Sequence, residues 1–429
     1  MGGKLEMKRF LAVLLAAMLL SSVAVFSGCK NNGNDKSSTE SITESKSTND
    51  NAANQAKISS MSKEIEALKE QPTFSATKSI DAKKISKNKR IAIIADSSNN
   101  TYSSYIALEV KKVAESAGFD ESIVYDTDGT SNSHSSALEN AVSDQCSAAL
   151  LIGNINKDEI SLSIETAQAN GMKIISLDNA ALDSKEHFVD SAITTDYVKE
   201  ARILADYAIV QKDGKVNALL VIPSSLPYAE AMKTAVTDEL KNYSSGYCTE
   251  LSAETSTWES TLSDSAKKIL EKDTNINCVI VLHEGMMKSV VNALEMSQSI
   301  SRVSLVSRGG GTEAFSQVQN GNAAIVAAES YEWTAYSAVN YILEILSGND
   351  SPEPANIPFM LISYDNVKNM EAKDEAYSKA EENEESTPER DYGDDPDAPF
   401  IERVFKKDFK KQYRNLWGIK EDSEPSQSE

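Results

Sequence analysis

From Arg90 to Ser347 the chain alternates short apolar runs with segments of helical periodicity, and that rhythm admits few folds. The runs 90–95, 122–126, 148–152, 172–177 and 188–193 read as strands, with helices expected at 102–117, 134–145, 157–170 and 196–211. A second series follows, with strands at 216–222, 246–252, 278–282, 303–306 and 323–328. Its helices are expected at 227–242, 259–272, 285–298, 312–319 and 331–347. Gly118, Gly171, Gly214 and Gly348 stand where helices end and positive φ is cheap. Two five-unit series of strand then helix predict an α/β protein of two Rossmann-like lobes with parallel sheets. The repeat is architectural, with no close match between residues.

The first unit points to a site. Ile91 to Ala95 is apolar, Asp96 to Thr101 is a polar turn, and Ile106, Val110, Val113 and Ala117 then recur at helical spacing. In open parallel sheets ligands bind beyond the carboxyl ends of strands, which makes Asn99, Asn100 and Tyr102 ligand-facing candidates.

The flanks read differently. Lys8-Arg9, the apolar run Phe10–Phe26 and the small residues before Cys29 have the make-up of a secretory signal, with Met7 an alternative start. Phe26-Ser-Gly-Cys29 resembles the bacterial lipobox, which implies that Cys29 is lipidated; the alternatives are an ordinary signal peptide or an anchor helix. Residues 31–56 hold almost no large apolar side chain and should be disordered, whereas 58–68 suits one short helix. Glu371 to Asp397 concentrates acidic residues and reads as flexible. Phe400 to Trp417 places Ile401, Val404, Phe405, Phe409, Tyr413 and Trp417 at helical spacing opposite a basic face. That helix either packs its apolar stripe on the core or lies on an anionic membrane.

With 65 acidic against 43 basic residues, the formal charge of −22 argues against a nucleic-acid partner. Cys146, Cys248 and Cys278 are an odd, widely spaced set, without a disulfide framework or metal-ligand spacing, and read as small buried hydrophobes. No nucleophile elbow, His-Glu-x-x-His or comparable set is present, so an enzyme is not expected, and neither a cofactor nor a metal is implied. Ser307-Arg-Gly-Gly-Gly-Thr312 precedes a helix as a phosphate loop does, but lacks the Gly-Lys-Ser/Thr ending.

Lys89-Arg-Ile-Ala-Ile-Ile-Ala-Asp-Ser-Ser-Asn-Asn-Thr-Tyr102 resembles the opening of type I periplasmic binding proteins of the ribose- and galactose-binding group. Gly171-Met-Lys-Ile-Ile-Ser-Leu-Asp-Asn179, Ser191-Ala-Ile-Thr-Thr-Asp196 and Leu361-Ile-Ser-Tyr-Asp-Asn-Val367 resemble later motifs in the family's order. The likeness spans roughly Pro72 to Val367. It implies two lobes joined by a three-segment hinge, with crossings near Thr194–Asp196, Ala328–Tyr331 and Ile357–Ile362. On this basis 1–28 is a lipoprotein signal peptide and 29–71 a tether. The N-terminal lobe is 72–195 plus 329–357, and the C-terminal lobe 196–328 plus 358–367. An acidic segment at 368–399, an amphipathic helix at 400–418 and a disordered tail at 419–429 follow.

Carried over residue by residue, the family's cleft falls on Asn99, Asn100, Tyr102 (followed by Ser103), Asp178, Asn179 and Trp258. Its second lobe departs from the pattern. The expected Arg falls near Met232, an Asn-Asp pair on His283-Glu284, an Asp on Arg308, and a Gln on Ala328 with Glu329 next. Tyr102 and Trp258 could equally be core or rim residues, and Asp178 a helix cap. Arg308 either pairs with Glu284 or Glu329 or, unpaired, favours a carboxylate or phosphate on the ligand. The resemblance implies a monomeric, lipid-anchored extracytoplasmic receptor that captures a sugar or related molecule by lobe closure for an ABC permease. The alternative is a sensory module of the same fold signalling to a membrane kinase or chemoreceptor.

Overall fold

The computed structural model describes residues 43–76, 78–98, 101–178, 189–349, 355–369, 379, 401 and 404–419. Cys29, the Phe10–Phe26 run, Asn99, Asn100, Asn179 and nearly all of the acidic segment lie outside them. The described residues from Ala53 onward pack as one compact unit. No helix among the described residues is long and apolar enough to cross a membrane.

The first sheet contains β1 (Arg90–Ala95), β2 (Glu121–Tyr125), β3 (Ala148–Ile152), β4 (Lys173–Leu177), β5 (Ser191–Thr195) and β11 (Ala355–Ile357). Their order is β11-β5-β4-β3-β1-β2, all parallel. Its helices include α3 (Thr101–Ser116), α4 (Ser131–Ser143), α5 (Ser161–Ala169) and α11 (Tyr331–Leu346). The second sheet contains β6 (Asn217–Pro223), β7 (Tyr247–Ala253), β8 (Cys278–Val281), β9 (Ser304–Arg308), β10 (Ile325–Glu329) and β12 (Phe359–Ser363). Their order is β12-β10-β9-β8-β6-β7, and its helices are α6 (Tyr197–Gln211), α7 (Ala229–Tyr243), α8 (Trp258–Lys272), α9 (Met287–Met296) and α10 (Thr312–Gln319). The sheets are parallel as expected except at one edge, where β12 runs antiparallel to β10. Strand-to-strand direction reverses there because β12 enters its sheet directly from β11, across only Pro358.

Helices on both faces explain why the central strands read as unbroken apolar runs: β3, β8 and β10 are buried throughout. Ile91, Ile93 and Ile94 are wholly buried, each worth about 1.5–3 kcal/mol of transfer free energy. The chain changes sheet between β5 and α6, between β10 and α11, and between β11 and β12.

Two flanking segments differ from expectation. Helix α1 (Thr43–Leu68) extends well into the stretch expected to be disordered. Met61 and Ile65 anchor its end against α6 and α7, and Arg202 joins Glu64 to Asp206 at 2.8 and 2.6 Å. Once those turns are held, adding residues such as Ala52, Ala53 and Ala56 costs little. A short helix, α2 (Ala82–Ser86), precedes β1. At the other end α12 spans only Asp408–Leu416 rather than 400–418. Its stripe packs on α11: Phe409 stacks on Trp333 at 4.5 Å, and Trp417 Nε1 donates to Asn340 Oδ1 at 2.9 Å. Before α12 the helix is interrupted where the Gln71 side chain donates to Val404 O and accepts from Lys406 N. Lys407 and Lys410, on the basic face, meet Glu332.

Candidate functional site

The carboxyl ends of both sheets face a cleft of about 550 Å³. Tyr102, Asp178, Trp258, His283, Glu284, Arg308 and Glu329 all line it. They come from six separate stretches of chain, so only the fold brings them together.

On the first lobe, Tyr102 lies in the opening turn of α3 and its hydroxyl donates to Asp178 Oδ2. Asp178 follows β4 with φ +56°, and its Oδ1 accepts from Thr195 N at 3.0 Å. It therefore ties the end of β4 to the end of β5 and to α3. Burial raises the pKa of both groups, and Tyr102 donates to an acid that is itself hard to ionise. Asp96 accepts N–H groups from Ser97 and Asn154, ordering the turn after β1.

On the second lobe, Trp258 opens α8 and its ring lies 5.1 Å from that of His283. His283 Nδ1 accepts from Gly285 N at 3.1 Å. Burial, aided by the Arg308 charge, lowers its pKa to about 3, so the ring is neutral. Glu284 accepts the N–H of Gly311 through Oε2. Gly309, at φ +114°, allows that approach, since a Cβ there would fall 2.7 Å from the Glu284 carboxyl carbon. The glycine run that resembled a phosphate loop thus seats the protein's own carboxylate. Burial raises the Glu284 pKa to about 7.

Arg308 is paired. Its Nε donates to Glu200 Oε2 at 2.6 Å and one terminal nitrogen to Glu329 Oε1 at 2.9 Å, while its guanidinium carbon lies 4.6 Å from the Tyr197 ring centre. Of the two partners considered from sequence, Glu329 pairs with Arg308 and Glu284 does not. The condition for an anion-binding arginine is therefore unmet. Met232, on the buried face of α7, belongs to the core.

Sequence reasoning missed Glu200, Tyr197, Tyr228 and Tyr331. The three tyrosines line the cleft. Glu200 carried a readable signal: Tyr197, Glu200, Ala201, Leu204 and Ala208 share the buried face of α6, where an unpaired acid is costly. The tyrosines follow a crossing or precede a helix, positions that give no spacing signal. Among the described residues no His, Cys, Asp and Glu group could hold a metal, and Cys248 is half-buried rather than buried.

Solved structures share this architecture. A glucose-galactose binding protein, GanP, from Geobacillus stearothermophilus matches at TM-score 0.56 and 16% identity, over 65% of this chain and 98% of its own. An ABC transporter periplasmic solute-binding protein from Actinobacillus succinogenes 130z, solved with D-allose, matches at TM-score 0.57 and 15% identity, over 66% and 100%. A XylFII–LytSN complex matches at TM-score 0.53 and 16% identity, over 65% and 98%. No curated protein matches by sequence. At these identities the neighbours establish the fold alone. The sequence model for the periplasmic binding protein domain matches residues 91–350, most of both lobes. The chain therefore belongs to the periplasmic binding protein family, as a solute-binding protein and not an enzyme.

Proposed function

We propose that the protein is an extracytoplasmic receptor that captures a sugar or sugar derivative between its lobes and delivers it to an ABC permease. The main support is the 550 Å³ cleft, lined from both lobes by aromatic faces and fixed carboxyl groups. An aromatic face suits the C–H surface of a sugar, and planar polar groups suit its hydroxyls. Neighbours solved with D-allose, allitol and 5-methylthioribose add weight to that ligand class. Three chain crossings between the lobes provide the hinge about which they close. Anchoring through a lipidated Cys29 completes the reading, with the protein acting as a monomer.

A sugar panel tests this by thermal melting, because a ligand that binds only the folded state raises Tm. One panel member should raise it for the wild type and fail to do so for Tyr102→Ala. If no member shifts Tm, the sugar assignment is wrong. Cys29→Ala should leave the protein unprocessed or released into the medium, and unchanged membrane retention would remove the lipid anchor.

A further inference from the structure

Charge in the cleft is unbalanced. Among the described lining residues, Arg308 is the single cationic side chain, and both of its ion pairs are to carboxylates of this chain, Glu200 and Glu329. His283 is neutral. Glu329 is spent on Arg308 and Asp178 is hard to ionise, but Glu284 and Glu259 line the same space with no ion pair to a described residue. Glu284 is held in place by the Gly311 N–H and by the close approach of Gly309 and Gly311, so it cannot readily swing away.

The walls add a second, independent feature. Tyr102 and Tyr331 meet edge to face at 5.2 Å, and Trp258 stands across the cleft near Glu284. Aromatic faces attract cations within about 6 Å of the ring centre. Arg308 over Tyr197 already shows that pairing at the base of the cleft.

We propose that the ligand carries a protonated amine on its hydroxylated frame, as an amino sugar or amino polyol does, with the ammonium held by Glu284 and the aromatic walls. The inference rests on reading the cleft as a sugar-class site. A neutral sugar leaves Glu284 and Glu259 without a cationic partner. A sugar acid adds to it, and with Arg308 committed it finds no free guanidinium. An ammonium supplies the missing charge and up to three donors to a wall rich in acceptors.

Matched sets separate this from the broader reading. The full chain is titrated calorimetrically with D-glucose, D-glucosamine and D-glucuronate, and with D-galactose, D-galactosamine and D-galacturonate. At least one amine should bind tenfold or more tightly than its neutral parent, with the acid weakest. Glu284→Gln, which keeps the shape of the side chain, should cut that preference at least fivefold, and Glu284→Asp should retain part of it. Neutral sugars binding as well as their amines would overturn the cation assignment and leave the sugar receptor standing. A preference unmoved by Glu284→Gln would overturn the role of that carboxylate. No binding by any of the six would overturn both.

Discussion

Arg308 Nε lies 2.6 Å from Glu200 Oε2, joining the end of β9 to the first turn of α6 directly after the first crossing between lobes. Both side chains are almost completely buried, and Glu329 at the second crossing takes a further guanidinium nitrogen at 2.9 Å. A charge at the base of the cleft is thereby converted into a structural tie between two hinge segments. The sequence left open whether this arginine serves the ligand or the fold; the geometry assigns it to the fold.

Removing that guanidinium strands two buried carboxylates. Arg308→Ala should destabilise the protein by about 3–5 kcal/mol, the usual cost of breaking a buried pair from one side. Chemical denaturation measures it, and the double change Arg308→Met with Glu200→Leu should recover a substantial part. A loss below about 1 kcal/mol in the single variant contradicts a structural tie.

Glu284 sets a pH dependence. Its pKa rises from the ordinary 4.5 to about 7 in the fold, with Gly311 N–H, Arg308, Glu329 and Glu313 around it. Between those values the folded state keeps a proton that the unfolded chain has released, so stability falls as pH rises from about 4.5 to 7. Asp178, raised by burial, acts in the same direction. Glu284→Gln should therefore flatten, without abolishing, the decline in Tm across that window. An identical slope in wild type and variant would contradict the assignment.

Gly309 should resist substitution. Its φ of +114° and the 2.7 Å gap to Glu284 leave no room for a Cβ. Gly309→Ala should cost more than about 1 kcal/mol in an unfolding titration. Gly321, with positive φ but open space, is the control, and Gly321→Ala should cost less.

The carboxyl-terminal helix belongs to the first lobe. Trp417 is 1% exposed, stacks on Tyr336 at 5.6 Å and donates to Asn340. Trp417→Ala should cost about 3–5 kcal/mol, measured by denaturant melt. Trp417→Phe keeps the stacking but deprives Asn340 Oδ1 of its donor, so it should cost less, about 1–3 kcal/mol. Stability unchanged by Trp417→Ala would mean that this helix is free in solution.

Much of the fold was legible because parallel strands buried on both faces leave unbroken apolar runs, as in Ala148–Ile152 and Cys278–Val281. Of helix α1 the stretch 58–68 was legible but its extension back to Thr43 was not, since the anchoring of Met61 and Ile65 against α6 and α7 is not contained in local composition. In the cleft, motif order located Tyr102 and Asp178, but their mutual hydrogen bond depends on the turn of chain at φ +56°. Glu284 enters the candidate cleft only through the family resemblance, at the place of an Asn-Asp pair. Its bond to Gly311 comes from a different loop and had no signature in either stretch.

The central claim is that both lobes hold one ligand in the cleft. Calorimetric titration with the panel sugar that binds best, using Tyr102→Ala from the first lobe and Trp258→Ala from the second, tests it most directly. The account predicts a single site per chain, weakened at least tenfold by either substitution while each variant keeps its folded circular dichroism spectrum. Undiminished binding in both folded variants would contradict it.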